Sequence, residues 1–149
     1  MADYQCTACG EVETAESAIP VACAACGATR LIDLEMQAQQ IAKANDAFRA
    51  AIISGGHPVY QGRVVCTQGI AAKGAEFVTL AQLAVAGFSE FTEDNDPHGD
   101  HSMASVTICG EVVWFKIDLY DENFCYGAGD PLDDANTRRV LTLLFPSEY

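Results

Sequence analysis

Basic residues are scarce in this chain. Its 149 residues hold 8 Lys and Arg against 21 Asp and Glu, a formal net charge of −13. A surface of that sign repels phosphate backbones and attracts cations or basic proteins, so direct nucleic-acid binding is not expected. Long apolar runs are missing too. None approaches the ~20 residues of a membrane helix, and no membrane association is expected. Met1-Ala2-Asp3-Tyr4 has no basic region leading into an apolar one, so no signal peptide is expected and the expected location is cytoplasmic. No Gly-x-Ser-x-Gly, phosphate-loop or His-Glu-x-x-His pattern occurs, and with them go the commonest signatures of hydrolases and nucleotide enzymes. No internal repeat or low-complexity linker interrupts the chain. What remains, with 50% of residues hydrophobic, suffices for one domain and a small appendage.

Cysteine is plentiful, and its spacing carries chemistry. Seven cysteines, an odd number, exclude complete internal pairing. Cys6-Thr7-Ala8-Cys9-Gly10 and Cys23-Ala24-Ala25-Cys26-Gly27 are matching knuckles. Two residues inside each CxxC let both thiolates face one ion, and the following glycine permits the tight turn. The residues between the pairs leave room for a short hairpin that returns the second knuckle to the first. Four thiolates suit Zn²⁺, so a structural zinc on Cys6, Cys9, Cys23 and Cys26 is expected. Rubredoxin-like iron or a redox dithiol is the alternative. Residues 1–30 read as a zinc ribbon. They set Asp3, Glu11, Glu13 and Glu16 against Arg30 alone, which fits a structural or protein-docking ribbon. Cys66, Cys109 and Cys125 lie in or beside apolar runs and are expected as reduced, small core side chains.

Residues 33–149 read as a compact α+β domain, a mainly antiparallel sheet with two helices. Asp33 is the N-cap of a helix over 33–54. Leu34, Ala38, Ile41, Phe48 and Ile52 form its apolar face, and Gly55-Gly56 stop it. Residues 62–67 read as a strand, 69–74 as a turn and 75–86 as the second helix. Ala104, Val106 and Ile108 alternate with polar residues as a half-buried strand does. After a turn at Cys109-Gly110-Glu111, Val113, Phe115, Ile117 and Leu119 return along a core face. Trp114, Lys116, Asp118 and Tyr120 form the opposite face. That face is either a binding surface or the seat of a second helix. Residues 138–145 close the chain as a buried strand.

Residues 88–134 hold twelve acids and the single base Lys116, a net −11. At their head stands Glu93-Asp94-Asn95-Asp96-Pro97-His98-Gly99-Asp100-His101. Asp94, Asn95, Asp96, His98, Asp100 and His101 form a candidate binding loop. His and Asp are legitimate metal ligands, and Asp94-x-Asp96-x-His98-Gly99 imitates the start of an EF-hand. The twelfth position is Ser105, where a bidentate Glu is needed, so calcium in that mode fails. The competing reading is a connecting loop whose Asp and Asn side chains bond to nearby amides while Pro97 and Gly99 set the turn.

Residues 41–149 resemble an uncharacterised bacterial domain family of unknown function. The resemblance rests on Asn45-Asp46, on Gly62-Arg63-Val64-Val65, and most specifically on the 94–101 loop. Trp114, Lys116-Ile117-Asp118, Tyr120-Asp121, Arg139-Val140-Leu141-Thr142 and Ser147-Glu148-Tyr149 extend it. His57 to Gln61 form an insertion relative to the family's usual pattern. Its members often lie on plasmids and other mobile elements among accessory and anti-restriction genes. The resemblance implies a mobile-element accessory protein and assigns no catalytic residue.

Two functions follow as expectations. The preferred one is an acidic, zinc-ribbon interaction protein of anti-defence type (anti-restriction or anti-CRISPR-like), engaging a basic, nucleic-acid-binding protein partner. It is not expected to be an enzyme. The alternative is a metal-dependent hydrolase or nuclease that uses the acidic His/Asp loop with Asp118.

Overall fold

The computed structural model describes residues 2–16 and 20–149. It divides the chain into two compact units, Met1–Gln40 and Ile41–Tyr149. The first strand, β1 (Ala2–Cys6), ends on the first knuckle cysteine. It pairs antiparallel with β2 (Val12–Ala15) on one side and β3 (Leu31–Asp33) on the other. This β1–β2 hairpin turns through the first knuckle itself, whereas the hairpin expected from sequence lay between the two knuckles. Part of the connection to the second knuckle, residues 17–19, lies outside the described residues.

Helix α1 (Leu34–Ala50) begins where Asp33 Oδ1 accepts the amides of Glu35 and Met36 at 3.0 and 3.2 Å. That is the N-cap expected from sequence. The unit division falls inside α1, so the first unit extends beyond the expected ribbon 1–30. The helix ends four residues short of its expected terminus, and residues 51–55 form turns instead.

The larger unit holds a four-stranded sheet in the order β4–β7–β6–β5. Its strands are β4 (Gly62–Cys66), β5 (Met103–Ile108), β6 (Glu111–Tyr120) and β7 (Arg138–Leu144). β5, β6 and β7 are antiparallel neighbours, and β4 runs parallel to β7. The sheet is therefore mixed, because β4 reaches its partner through a long crossover that carries both further helices. Cys109 and Gly110, at φ 51° and 81°, fill the two-residue turn between β5 and β6. Two positive φ values mark the hairpin turn whose twist matches its strands.

Two helices follow β4. α3 (Ala75–Ala86) has the expected bounds. α2 (Gln68–Ala71) replaces the expected turn over 69–74, with Ile70 fully buried. Phe48, Ile70, Phe77, Ala81 and Val85 pack against Ala104, Ile108, Val113, Phe115, Ile117, Leu141 and Leu143. All the helical residues of this core lie on one side of the sheet. Within this unit, the face of Trp114, Lys116, Asp118 and Tyr120 has no helix over it, and all four residues are partly exposed. Cys66, Cys109 and Cys125 are exposed, correcting their expected place in the core. Cys109 sits in the hairpin turn, and Cys66 lies on the edge strand β4. Among the described residues, no helix is long and apolar enough to cross a membrane.

The core is not purely apolar. Arg139 has 0% and Asn45 0% of its surface exposed. Arg139 Nε donates to Asn45 Oδ1 at 2.8 Å, and Asn45 Nδ2 donates to the Asp100 carbonyl at 2.9 Å. The Arg139 guanidinium also stands 5.2 Å from the Tyr60 ring centroid. Arg49, 3% exposed, donates to the carbonyls of Val85 and Phe88 at 2.9 and 2.8 Å. Burial pushes the Arg139 guanidinium down from its ordinary value, opposed by the field of Asp134 and Tyr60. An arginine in that position needs its acceptor. Asn45→Ala should therefore cost about 2–4 kcal/mol of stability. Urea unfolding measures it, and an unchanged midpoint would show that the pair does not support the core.

Candidate metal centre and acidic groove

The four knuckle cysteines converge. Their Sγ atoms all lie within 4.8 Å of one another. Cys6 Sγ is 3.6 Å from Cys26 Sγ, and Cys9 Sγ is 3.7 Å from Cys23 Sγ. A tetrahedron with metal–sulfur bonds of about 2.3 Å has edges of about 3.8 Å, so the sulfurs stand at metal-binding separations. They are too far apart for disulfides.

Local geometry explains the convergence. Gly10 N donates to Cys6 O at 2.9 Å and Gly27 N to Cys23 O at 2.8 Å. Both glycines have positive φ, 79° and 76°. The two knuckles thus make the same turn, and a Cβ at either glycine would be strained. Cys6 N donates to Glu11 O, and Thr7 N donates to Arg30 O at 3.0 Å, which ties the first knuckle to the segment after the second. The Ala8 amide points at Cys6 Sγ at 3.4 Å.

Electrostatics favour a cation here. The amides of Cys9 and Ala8 hold the Cys6 thiol down at about 7. The Glu11 amide favours the Cys9 thiolate, yet facing thiols, Cys26 first, push Cys9 up to about 12. Cys26 is raised as well; the Ala28 amide opposes the shift and Cys6 drives it. Four sulfurs this close cannot all ionise unaided. A dication would remove the repulsion and release the protons. The donor set therefore fits a metal ion.

The 93–101 loop is built differently. His101 adopts φ 55°, costly for a residue with a Cβ. Three contacts hold it. Its amide donates to both oxygens of Asp96 at 3.2 and 3.4 Å. Its ring stacks on Phe91 at 3.9 Å, nearly parallel at 4°. Its Nδ1 lies 2.9 Å from both oxygens of Asp46. A carboxylate only accepts, so Nδ1 carries the proton there. Asp46 in turn accepts from Arg49 Nη2 at 2.9 Å.

The remaining loop side chains divide by task. Asn95 Oδ1 accepts the Thr92 amide at 2.8 Å, and its Nδ2 donates to Glu90 O at 2.9 Å. Asp100 Oδ1 accepts the Ser102 amide at 3.2 Å. Asp96 is buried, whereas Asp94, Asn95 and His98 are exposed. Among the described residues the four cysteines are the only group of three or more ligand-type side chains that converges. The loop acts as a scaffold of side-chain-to-amide bonds. Sequence reasoning passed over two of its supports, Arg49 and Phe91. Arg49 shares a helical face with Asn45 and Phe48, a spacing that points all three toward the core.

The loop and the open sheet face nevertheless meet. Asn95, Asp96, Pro97 and His98 form one wall of a groove of about 350 Å³, and Met103, Lys116, Asp118 and Tyr149 form the other. A second hollow of about 220 Å³ is lined by Asn95, Met103, Ala104, Ser105 and Trp114. Lys116 Nζ lies 3.3 Å from Asp118 Oδ2. Tyr149, 77% exposed, stands edge-on to Trp114 at 5.7 Å between centroids. Tyr120 of the same face pairs instead with Gly127, through an isolated bridge.

Glu148 places Tyr149. Its Oε1 accepts the Thr67 hydroxyl at 2.6 Å and the Phe145 amide at 2.9 Å, and its Oε2 accepts the Gly69 amide at 3.2 Å. A Cβ on Gly69 would stand 2.8 Å from that carboxylate, so any larger residue would push the Glu148 side chain out of this position. The Thr67 hydroxyl, with the Phe145 and Gly69 amides, holds the Glu148 carboxyl below its ordinary 4.5. A depressed carboxyl stabilises the fold fully above that ordinary value and loses its contribution as pH falls through the folded-state value. Wild type should thus lose stability below pH 4.5 more steeply than Glu148→Gln. Thermal melts from neutral pH to pH 3 compare them; parallel curves would show that the clasp carries no pH dependence.

A family model described as "Protein of unknown function (DUF3768)" matches residues 66–148, more than half of the chain. The matched stretch includes the acidic loop, β5 to β7 and Glu148, while Asn45-Asp46 and Gly62–Val65 precede it. No curated protein and no solved structure matches the chain.

Proposed function

The chain belongs to the DUF3768 family, and on that premise we propose that it is a zinc-stabilised, acidic interaction protein that engages a basic protein partner. The observation that carries this reading is the groove, where the 93–101 loop and the open sheet face form opposite walls. Glu90, Glu93 and Asp94, just ahead of the groove-lining Asn95 in the chain, are exposed. Their carboxylates are free to attract a cationic surface, since no hydrogen bond or ion pair among the described residues engages them. Trp114 supplies an aromatic anchor of the kind that dominates interface energies. The resemblance drawn from sequence extends the reading. In a mobile-element accessory protein, the partner is a nucleic-acid-binding defence protein whose nucleic-acid site this acidic surface occupies.

The hydrolase alternative needs a base free to act and ligands that converge. Among the described residues the loop's ligand-type side chains do not converge. Asp96 accepts the His101 amide, His101 Nδ1 is bonded to Asp46 of α1, and Asp118 is paired with Lys116. These commitments favour the interaction reading.

Zinc is the metal this proposal assigns to Cys6, Cys9, Cys23 and Cys26. Elemental analysis should find about one zinc per chain. Cys23→Ser should remove the metal and unfold the first unit. Residues Ile41–Tyr149 should stay folded, because they own a separate core. Iron in the purified protein, or collapse of the larger unit with Cys23→Ser, would contradict the assignment.

The partner is tested by capture from a bacterial lysate followed by a salt series. Association should slow steeply as salt rises, because exposed charges more than about 8 Å apart are screened at physiological ionic strength. Glu90→Lys, Glu93→Lys and Asp94→Lys together should weaken capture while leaving the melting temperature nearly unchanged. Tight duplex DNA binding by the chain alone, or capture indifferent to salt and to the triple change, would sink the reading.

A further inference from the structure

Strand β5 is an edge. The order β4–β7–β6–β5 leaves one of its sides without a neighbouring strand among the described residues. The bond from Ile117 N to Ser102 O at 2.7 Å sets the phase of its pairing with β6. Ala104, Val106 and Ile108 then exchange hydrogen bonds with β6, and the N–H and C=O groups of Met103, Ser105 and Thr107 point outward. Those outward groups have no backbone or side-chain partner among the described residues.

Edges of this kind are usually guarded by lysine, proline or a bulge. Met103-Ala104-Ser105-Val106-Thr107-Ile108 has neither charge nor proline, and its register with β6 runs one-to-one without a bulge. The opposite edge, β4, carries Arg63. Ser105 lies opposite Trp114, and both line the 220 Å³ hollow with Asn95 and Met103. The unguarded edge and the acidic groove are therefore one continuous surface.

We propose that the outer edge of β5 takes an extended, basic segment of a partner protein by strand addition. This rests on the basic-partner reading above and adds the mode of binding. Main-chain bonds to Met103, Ser105 and Thr107 supply the affinity, and alternate side chains supply the choice of partner. An added strand lies about 4.8 Å from β5, so every second side chain falls on the open face, over the hollow and toward the 93–101 loop. Lysine or arginine belongs there, because the exposed Glu90, Glu93 and Asp94 stand on the loop just before Asn95, which lines that hollow, and segment 88–134 as a whole carries a net −11. A second copy of this chain would bring a second charge of −13 to the same edge, which opposes self-pairing.

The test is fluorescence anisotropy with the zinc-loaded 149-residue chain and a labelled peptide of alternating threonine and lysine. Binding is expected, with little from the threonine–glutamate counterpart. N-methylation of every backbone nitrogen keeps the peptide's charge and removes its donors, and it should abolish binding. Ser105→Lys, an exposed position that retains the backbone, should weaken binding by at least about tenfold through like-charge contact. Thr107→Pro removes one outward donor at a position edge strands tolerate and should weaken it too. Thermal melts establish that both variants fold. Equal binding of the N-methylated peptide would overturn strand addition and leave the basic-partner reading standing. Equal binding of the glutamate peptide would remove the charge reading on which the proposal rests. No binding of the lysine peptide, or a dimer in sedimentation that Ser105→Lys dissolves, would overturn it as well.

Discussion

Arg139 sits fully buried on β7, where the larger unit gives its Nε one acceptor and leaves Nη1 and Nη2 without a hydrogen-bond partner among the described residues. A guanidinium cannot shed its charge, so a buried one must find acceptors or aromatic faces. Asn45 provides the acceptor, and the same amide then spends its donor on the Asp100 carbonyl. One side chain thus ties the first helix, the central strand β7 and the acidic loop together. Arg49, one turn further along the helix, repeats the pattern with the carbonyls of Val85 and Phe88 at the end of α3. Asp46 stands between the two, holding Arg49 on one side and His101 on the other. Without these links a loop carrying five carboxylates within eleven residues, Glu90 to Asp100, would spread under its own repulsion.

Charge is used in two ways on this unit. The acids that are bonded inward, Asp46, Asp96 and Asp100, set backbone and ring positions. Those facing outward, Glu90, Glu93 and Asp94, are exposed. Reversing an outward acid alters the field, whereas reversing Asp96 would also free His101 from its left-handed conformation. A charge-reversal series that includes Asp96 would therefore mix folding with binding.

Legibility from sequence followed the range of the interaction. The cysteine knuckles, the Asp33 cap, the Cys109-Gly110 turn and the bounds of α3 depend on neighbours a few residues away, and each could be read directly. The parallel pairing of β4 with β7 could not, since it joins Gly62–Cys66 to residues 139–143. Nor could the partners of the buried Arg139 and Arg49, since Asn45 and the carbonyls of Val85 and Phe88 lie ninety-four, thirty-six and thirty-nine residues away. The candidate site was legible in part. The loop and the Trp114 face were each singled out, but their convergence on one groove depends on how β5 carries the chain from one to the other. The role of His101 was missed because its partner, Asp46, lies fifty-five residues earlier. A short His/Asp cluster looks the same in sequence whether it aims at a metal or at its own amides.

That last distinction bears on what the groove can do. Metal ligands are themselves fixed by outer hydrogen bonds, so what separates the two readings is convergence, and the loop's ligand-type side chains form no converging group among the described residues. Here the most buried loop acid, Asp96, already accepts an amide, and the most enclosed imidazole, His101, is stacked and bonded. A loop fixed in this way is preorganised, so that less ordering cost falls on whatever binds beside it. The groove it borders ends at an unguarded strand edge, which offers main-chain partners without regard to sequence. Selectivity must then come from side chains. On the loop that borders this groove the exposed acids Glu90, Glu93 and Asp94 are the side chains left to exert it, because the loop's internal bonds engage Asn95, Asp96 and Asp100 instead.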